Sequence, residues 1–236
     1  MVSMSSYRPS LYKLLSDNIQ YDIHHYIEHA QNSNGPILEL GAGTGRTIFP
    51  LAQLGLEIHA IDHDPEMISY VATKKDQRNL TNIFLTQTRM SIFELGQLFS
   101  IIQIPLRTIH LLNKTQRQEC LNCCLKHLVP KGILLVHYSD LEKVPIDNQW
   151  KFVLEHKTTD DGYIWIEENI HSHGNSRILK HKIQQYNSNL LCVGNWMFRH
   201  QLDVFPETEF TNTNQFKIIK KHILSTTDKI LVLEKQ

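Results

Sequence analysis

Apolar and polar positions follow two different rhythms along this chain. Up to about residue 138, short apolar runs at 36–40, 57–61, 82–86, 99–104 and 133–138 read as buried strands. Between them lie stretches of helical spacing. After residue 45 come Ile48, Leu51, Ala52 and Leu54, then Met67, Ile68 and Val71, then a third run over 116–128. Two helices, 9–16 and 21–30, precede the first strand, residues 1–8 read as frayed, and 32–36 is a turn. From Asp140 the rhythm changes. Segments 163–166, 178–186 and 190–198 alternate apolar with polar and have no helix between them, which predicts an antiparallel sheet. Residues 206–210 make a short helix at most, and 216–223 with 229–234 read as a final antiparallel pair around a turn at 225–228. The expected fold is a doubly wound, mostly parallel α/β sheet with a small antiparallel β insertion after the fifth strand. The expected divisions are 1–138, 139–202 and 203–236.

Composition sharpens this only a little. The 236 residues suit one large domain or a domain with an appendage, and 41% apolar residues suffice for a core. Lys plus Arg equals Asp plus Glu at 24 each, and no basic block stands out, so neither a nucleic-acid partner nor a membrane is expected. The chain holds no apolar run near the length of a membrane span and no signal peptide, so a soluble, cytoplasmic monomer or homodimer is expected.

Cys120, Cys123 and Cys124 sit in a helical pattern with Leu121, Leu125 and Leu128, and the fourth cysteine, Cys192, stands apart. No second cysteine pair completes a zinc site, so the three read as buried, reduced core thiols. The 14 histidines read as scattered, and His171-x-His173 beside Gly174-Asn175 reads as a hairpin turn, so no metal site is expected.

The chemistry concentrates around Glu39-Leu40-Gly41-Ala42-Gly43-Thr44-Gly45-Arg46. An apolar strand ends in three alternate glycines, and a helix follows. Glycines there let a ligand approach the backbone, and the helix start offers unpaired N–H groups. Asp62 ends the second strand about twenty residues on, where a carboxylate can take both hydroxyls of a ribose. Asp64-Pro65 then opens the next helix as N-cap and first helical residue.

The G-x-G-x-G spacing resembles the first motif of the class I S-adenosylmethionine-dependent methyltransferases. The stretch Ala60-Ile61-Asp62-His63-Asp64-Pro65-Glu66-Met67 resembles their acidic second motif. The stretch from His127 to Leu135 resembles their late turn into strand five, with Lys131 where glycine is usual. The resemblance covers roughly residues 9–138 and implies a seven-stranded Rossmann-like sheet, S-adenosylmethionine as cofactor, and methyl transfer to nitrogen or oxygen of a small molecule. It implies that Glu39, Gly41, Ala42, Gly43, Thr44, Gly45, Arg46, Asp62, His63 and Met67 hold the cofactor. It also implies that Tyr12 lies near the methionine end and that the β insertion covers the substrate. Where the family carries an acid near adenine this chain has Arg89, followed by the apolar Met90.

The loop after strand four, from Ile104-Pro105, belongs beside strand one and faces the transferable methyl group. It lacks the Asn/Asp-Pro-Pro-aromatic motif of enzymes that methylate nucleobases or glutamine. Arg107 and His110 are its polar candidates for acceptor contact, and His110 has the ordinary pKa of a general base. Three other readings stay open: a nicotinamide-dependent oxidoreductase, a methyltransferase for nucleic acid or protein, and a non-catalytic protein that binds S-adenosylmethionine. The first is disfavoured by the glycine spacing and by the position of Tyr70-x-x-x-Lys74, which follows the wrong strand for that chemistry.

Overall fold

The structure is a computed structural model that describes residues 8–212 and 214–236. The expected fraying of 1–8 therefore falls, apart from Arg8, outside the described residues. The chain divides into two compact units, 141–204 and, among the described residues, the remainder from Arg8 on.

The larger unit holds a seven-stranded sheet in the order β10-β11-β5-β4-β1-β2-β3. Its strands are β1 (Ile37–Leu40), β2 (Ile58–Asp62), β3 (Ile83–Gln87), β4 (Phe99–Ile104), β5 (Leu128–Ser139), β10 (Phe216–Ile223) and β11 (Asp228–Lys235). β1 pairs in parallel with β2 on one side and β4 on the other, so the strand order reverses there and opens a crevice at the carboxyl ends. β11 is antiparallel to β5, and β10 to β11. The helices are α1 (Pro9–Asp17), α2 (Ile23–Gln31), α3 (Ile48–Gln53), α4 (Pro65–Gln77) and α5 (Lys114–His127).

Alternation along the central strands builds two cores, one on each face. Leu38 and Leu40 of β1, Leu134 and Val136 of β5, and Leu231 and Leu233 of β11 pack with Cys120 and Cys124 of α5. Ile37, Leu135, Ile230 and Val232 point the other way and pack with Tyr26 and Ala30 of α2 and with Ile48 and Leu51 of α3. β1 and β4 are buried almost throughout, as a sheet covered on both faces requires. Asp64 caps α4 by accepting from Glu66 N at 2.8 Å, with Pro65 at the first helical position. Asn113 and Gln116 close a reciprocal capping box on α5. Cys120 and Cys124 are buried and Cys123 is half-buried, and all are free thiols. Lys131 adopts φ 64°, the left-handed turn that glycine would fill without strain.

The smaller unit is a four-stranded antiparallel sheet, β6 (Lys151–Lys157), β7 (Tyr163–His173), β8 (Ser176–Tyr186) and β9 (Cys192–Asp203), in sequential order. Ile164, Ile166, Ile178, Ile183, Phe198 and Leu202 are its buried apolar side chains, with Asn169, Ser176 and His181 buried among its polar ones. Tyr163 and Tyr186 stack across β7 and β8 at 4.7 Å. His173 and Ser176 pair across the Gly174-Asn175 turn, so His171 and His173 belong to a hairpin end. Among the described residues no helix is long and apolar enough to cross a membrane.

Candidate active site

The crevice at the β1/β4 reversal is floored by the glycine loop. Gly43 has φ 50°, and a Cβ built there would lie 3.2 Å from Tyr12 Cε1. A side chain at this position would fill the space between the loop and α1. A Cβ on Gly41 would meet the Thr108 methyl at 2.8 Å. The loop thus keeps its backbone bare toward two walls, α1 and the segment after β4. Tyr12 is half-buried there, and burial pushes its phenol up to about 12, so it remains a protonated donor. Ser16 and Thr44 meet at 3.3 Å and tie α1 to the loop.

Asp62 closes the β2 side of the crevice. Its Oδ2 accepts Gly43 N–H at 2.9 Å and its Oδ1 accepts Asp64 N–H at 3.0 Å. His63 Nδ1 lies 3.3 Å from Oδ1. Burial opposes its charge, but His63 and the two backbone donors hold the carboxyl below its usual range. A carboxylate has about four lone-pair directions. The loop uses part of them, and the same group that shapes the glycine turn can also receive two ribose hydroxyls.

Glu39 stands where the β1 period points it, on the α1–α3 face. It faces Gln103 across the β1–β4 register, accepts Gln103 Nε2 at 2.6 Å, and also accepts the Thr47 hydroxyl. Burial pushes its carboxyl up to about 7 against these two donors. Folding therefore raises its proton affinity above the ordinary 4.5. Stability contributed by Glu39 is full below about pH 4.5 and is lost as pH rises through about 7. Glu39→Gln should flatten the fall in unfolding free energy over that window, measured as denaturant midpoints from pH 4.5 to 8. A wild-type slope unchanged by the substitution would refute this reading.

Arg46 is the anchor of the loop. Its guanidinium forms a two-pronged pair with Asp22 at 2.6 and 2.8 Å and donates to Ile19 O at 2.6 Å. The arginine side chain is 5% exposed and that of Asp22 is buried completely. His137 of β5 lies between two carboxylates, 3.4 Å from Asp22 and 3.7 Å from Asp228. Arg107 donates to both Asp228 oxygens, at 2.8 and 2.9 Å. Burial opposes both carboxylates, yet His137 with Arg46 holds Asp22 far below the usual range, and His137 with Arg107 does so for Asp228. Arg46, Asp22, His137, Asp228 and Arg107 thus form one chain of contacts from the glycine loop to β11.

The structure corrects two assignments for the acceptor side. His110 is fully buried in the single 3₁₀ turn Thr108–Leu111, with its ring against Tyr138 and Phe205. Its Nε2 accepts Ser139 N–H at 3.1 Å, which uses the lone pair a general base needs. Arg107, expected to meet the acceptor, carries its charge into the Asp228 pair. Arg46, expected on the cofactor, is a buried tie between the loop and Asp22.

Ala42 and Gly45 complete the glycine loop, and a Cβ on Gly45 would strike the Phe49 ring at 2.5 Å. Ile104 and Pro105 are buried at the end of β4. His63 and Arg89 are exposed at the ends of β2 and β3, Met67 is buried on α4, and Met90 packs on the core. Tyr70 and Lys74 lie on α4 with the ammonium 5.9 Å from the ring. Thr47, Thr108, Gln103, His137 and Asp228 escaped the sequence reading because none sits in a motif; Gln103 meets Glu39 through the β1–β4 register, and His137 and Asp228 come together through the β5–β11 register.

Residues 37–132 match the methyltransferase domain family. YqeM of Bacillus subtilis (strain 168), named as a proposed methyltransferase, is 32% identical over 134 residues, 55% of this chain and 54% of that protein. The chain thus spans about half the length of this curated relative. The CcbJ methyltransferase of Streptomyces caelestis superposes with a TM-score of 0.76 at 20% identity, covering 92% of this chain and 90% of that one. CalS10, an amino pentose methyltransferase of Micromonospora echinaspora, gives 0.76 at 14% identity and 98% coverage of both chains. Glycine loop, strand-end acid and family match coincide on the same segment: residues 37–132 are similar to the methyltransferase domain family, and the fold is the one seen in solved methyltransferases.

Proposed function

We propose that this chain transfers a methyl group from S-adenosylmethionine to a small molecule, with a nitrogen acceptor favoured over oxygen. The observation that carries the reading is the Asp62–Gly43 bond at 2.9 Å, which sets a carboxylate against the glycine loop and so supports its taking the ribose. Asp62 would hold the ribose, the loop N–H groups and Tyr12 the methionine end, and Met90 the adenine face. The bound sulfonium supplies an activated methyl, so the protein mainly aligns acceptor and donor. His110 is engaged by Ser139, and a neutral amine attacks through its own lone pair without a base. This is why nitrogen is favoured.

The antiparallel unit 141–204 would select the acceptor, a role supported by its place in the chain between β5 and the final pair. The likeness to CalS10, an amino pentose methyltransferase, makes aminosugars a reasonable first pool to assay. The test is transfer of labelled methyl from S-adenosylmethionine into a panel of amines and alcohols. Transfer to alcohols alone would reverse the preference for nitrogen.

His110→Gln should then reduce stability while leaving the pH dependence of turnover unchanged. A fall of about 10²-fold in rate, with loss of the rise in turnover as pH passes the ordinary histidine pKa, would restore His110 as a base.

A further inference from the structure

The 14 histidines look scattered along the sequence, but folding gathers several of them. His25 and His29 are four residues apart on α2, so they share one face of the helix, and Glu28 lies three after His25. His222 arrives from the edge strand β10. One ligand atom each from His25, Glu28 and His222 lies within 4.8 Å of the others. His29 Nε2 lies 3.0 Å from His222 Nε2, and the His25 and His222 rings are 4.0 Å apart. Among the described residues this is the one set of histidine, cysteine and carboxylate groups close enough to share an ion.

We propose that His25, Glu28 and His222, with His29 beside them, form a binding site for a borderline divalent transition metal of the zinc type.

Geometry supports the proposal. Nitrogen and oxygen ligands at 2.0–2.2 Å in a tetrahedron stand about 3.3–3.5 Å apart. The His29–His222 separation is already near that value, and the other donors need side-chain shifts of about 1 Å. Imidazoles with one carboxylate suit zinc, cobalt, nickel or copper, whereas magnesium and calcium want oxygen donors. His25 Nδ1 is sealed from solvent and has no hydrogen-bond partner. His222 is 8% exposed, so two of the donors come from a largely desolvated position. Glu28 pairs with Lys220 at 3.0 Å on the exposed rim, a contact that costs little to exchange. A bound ion would fasten α2 to β10 and so brace the helix that follows Asp22.

The experiment uses the untagged protein, stripped by a chelator and titrated with Zn²⁺ by calorimetry and with Co²⁺ by visible absorption. One-to-one uptake is expected, with a rise in Tm on adding Zn²⁺. Loss of outer-shell partners alone weakens metal sites by 10–100-fold, so His222→Asn should weaken Zn²⁺ binding by at least about 100-fold and abolish the Tm rise. Glu28→Gln, on the surface, will fold and should weaken binding by about 10-fold or more. Cys123→Ser should leave uptake unchanged. No stoichiometric uptake, uptake insensitive to His222→Asn and Glu28→Gln, or uptake lost with Cys123→Ser would overturn the proposal.

Discussion

Asp62→Ala is expected to weaken S-adenosylmethionine binding by about ten- to a thousand-fold. Two ribose hydroxyls donating to one carboxylate make charge-assisted bonds worth about 1.5–3 kcal/mol each. The pair does not add fully, because water replaces part of what is lost, and about 1.4 kcal/mol corresponds to each decade. The substitution should also lower stability. A strand-end polar residue is ordinarily tolerant, and the sequence alone predicts little effect on folding. In the structure, however, Asp62 accepts the N–H groups of Gly43 and Asp64. Removing the acceptor leaves two donors short of a partner, at about 1–3 kcal/mol in total once their partial exposure is counted. Asp62→Asn, which keeps an oxygen, should recover part of the stability and less of the affinity. Calorimetry well below the transition temperature separates the two effects. A stability loss with near wild-type affinity would reduce Asp62 to a turn residue.

Arg46→Ala is expected to destabilise the fold by about 3–5 kcal/mol, the usual cost of leaving one member of a buried pair uncompensated. The guanidinium spans Asp22 and Ile19 O, and its loss leaves Asp22 buried beside His137 at 3.4 Å without its arginine partner. At about 2–4 °C per kcal/mol for a chain of this size, Tm should fall by roughly 10 °C. Arg46→Lys keeps the charge but cannot fork, so it should lie between the two. The same pair predicts acid sensitivity. Asp22 and Asp228 are held below the ordinary carboxylate pKa, so their contribution is present above about pH 3.8 and is lost as pH falls further. Arg46→Ala should remove the Asp22 part of that acid transition. A denaturant midpoint within error of wild type would show that the pair contributes nothing net.

Much of this architecture was legible because the core strands are buried on both faces. β1, β2 and β4 announce themselves as apolar runs, and the glycines and Asp62 follow at fixed offsets. β6 was missed because its side chains are nearly all exposed, so Lys151–Lys157 carries no alternation for a pattern to find. β5 begins at Leu128, five residues before the expected start, since the strand continues through the Lys131-Gly132 turn. The charge chain from Arg46 to Arg107 was invisible for a different reason. Asp22, His137 and Asp228 are far apart in sequence, and each is ordinary alone. Only the pairing of β11 with β5, Asp228 opposite Ser139 and Ile230 opposite His137, brings them together. His110 misled because a histidine near strand ends reads as chemistry until its Ser139 contact is seen.

The central claim, that the crevice at the glycine loop is built for S-adenosylmethionine, is tested most directly by titrating that compound and NADH separately into the purified protein. The account predicts saturable one-to-one binding of S-adenosylmethionine, lost in Asp62→Ala, and no binding of NADH. Binding of NADH in its place, or no heat from S-adenosylmethionine with a folded protein, would contradict it.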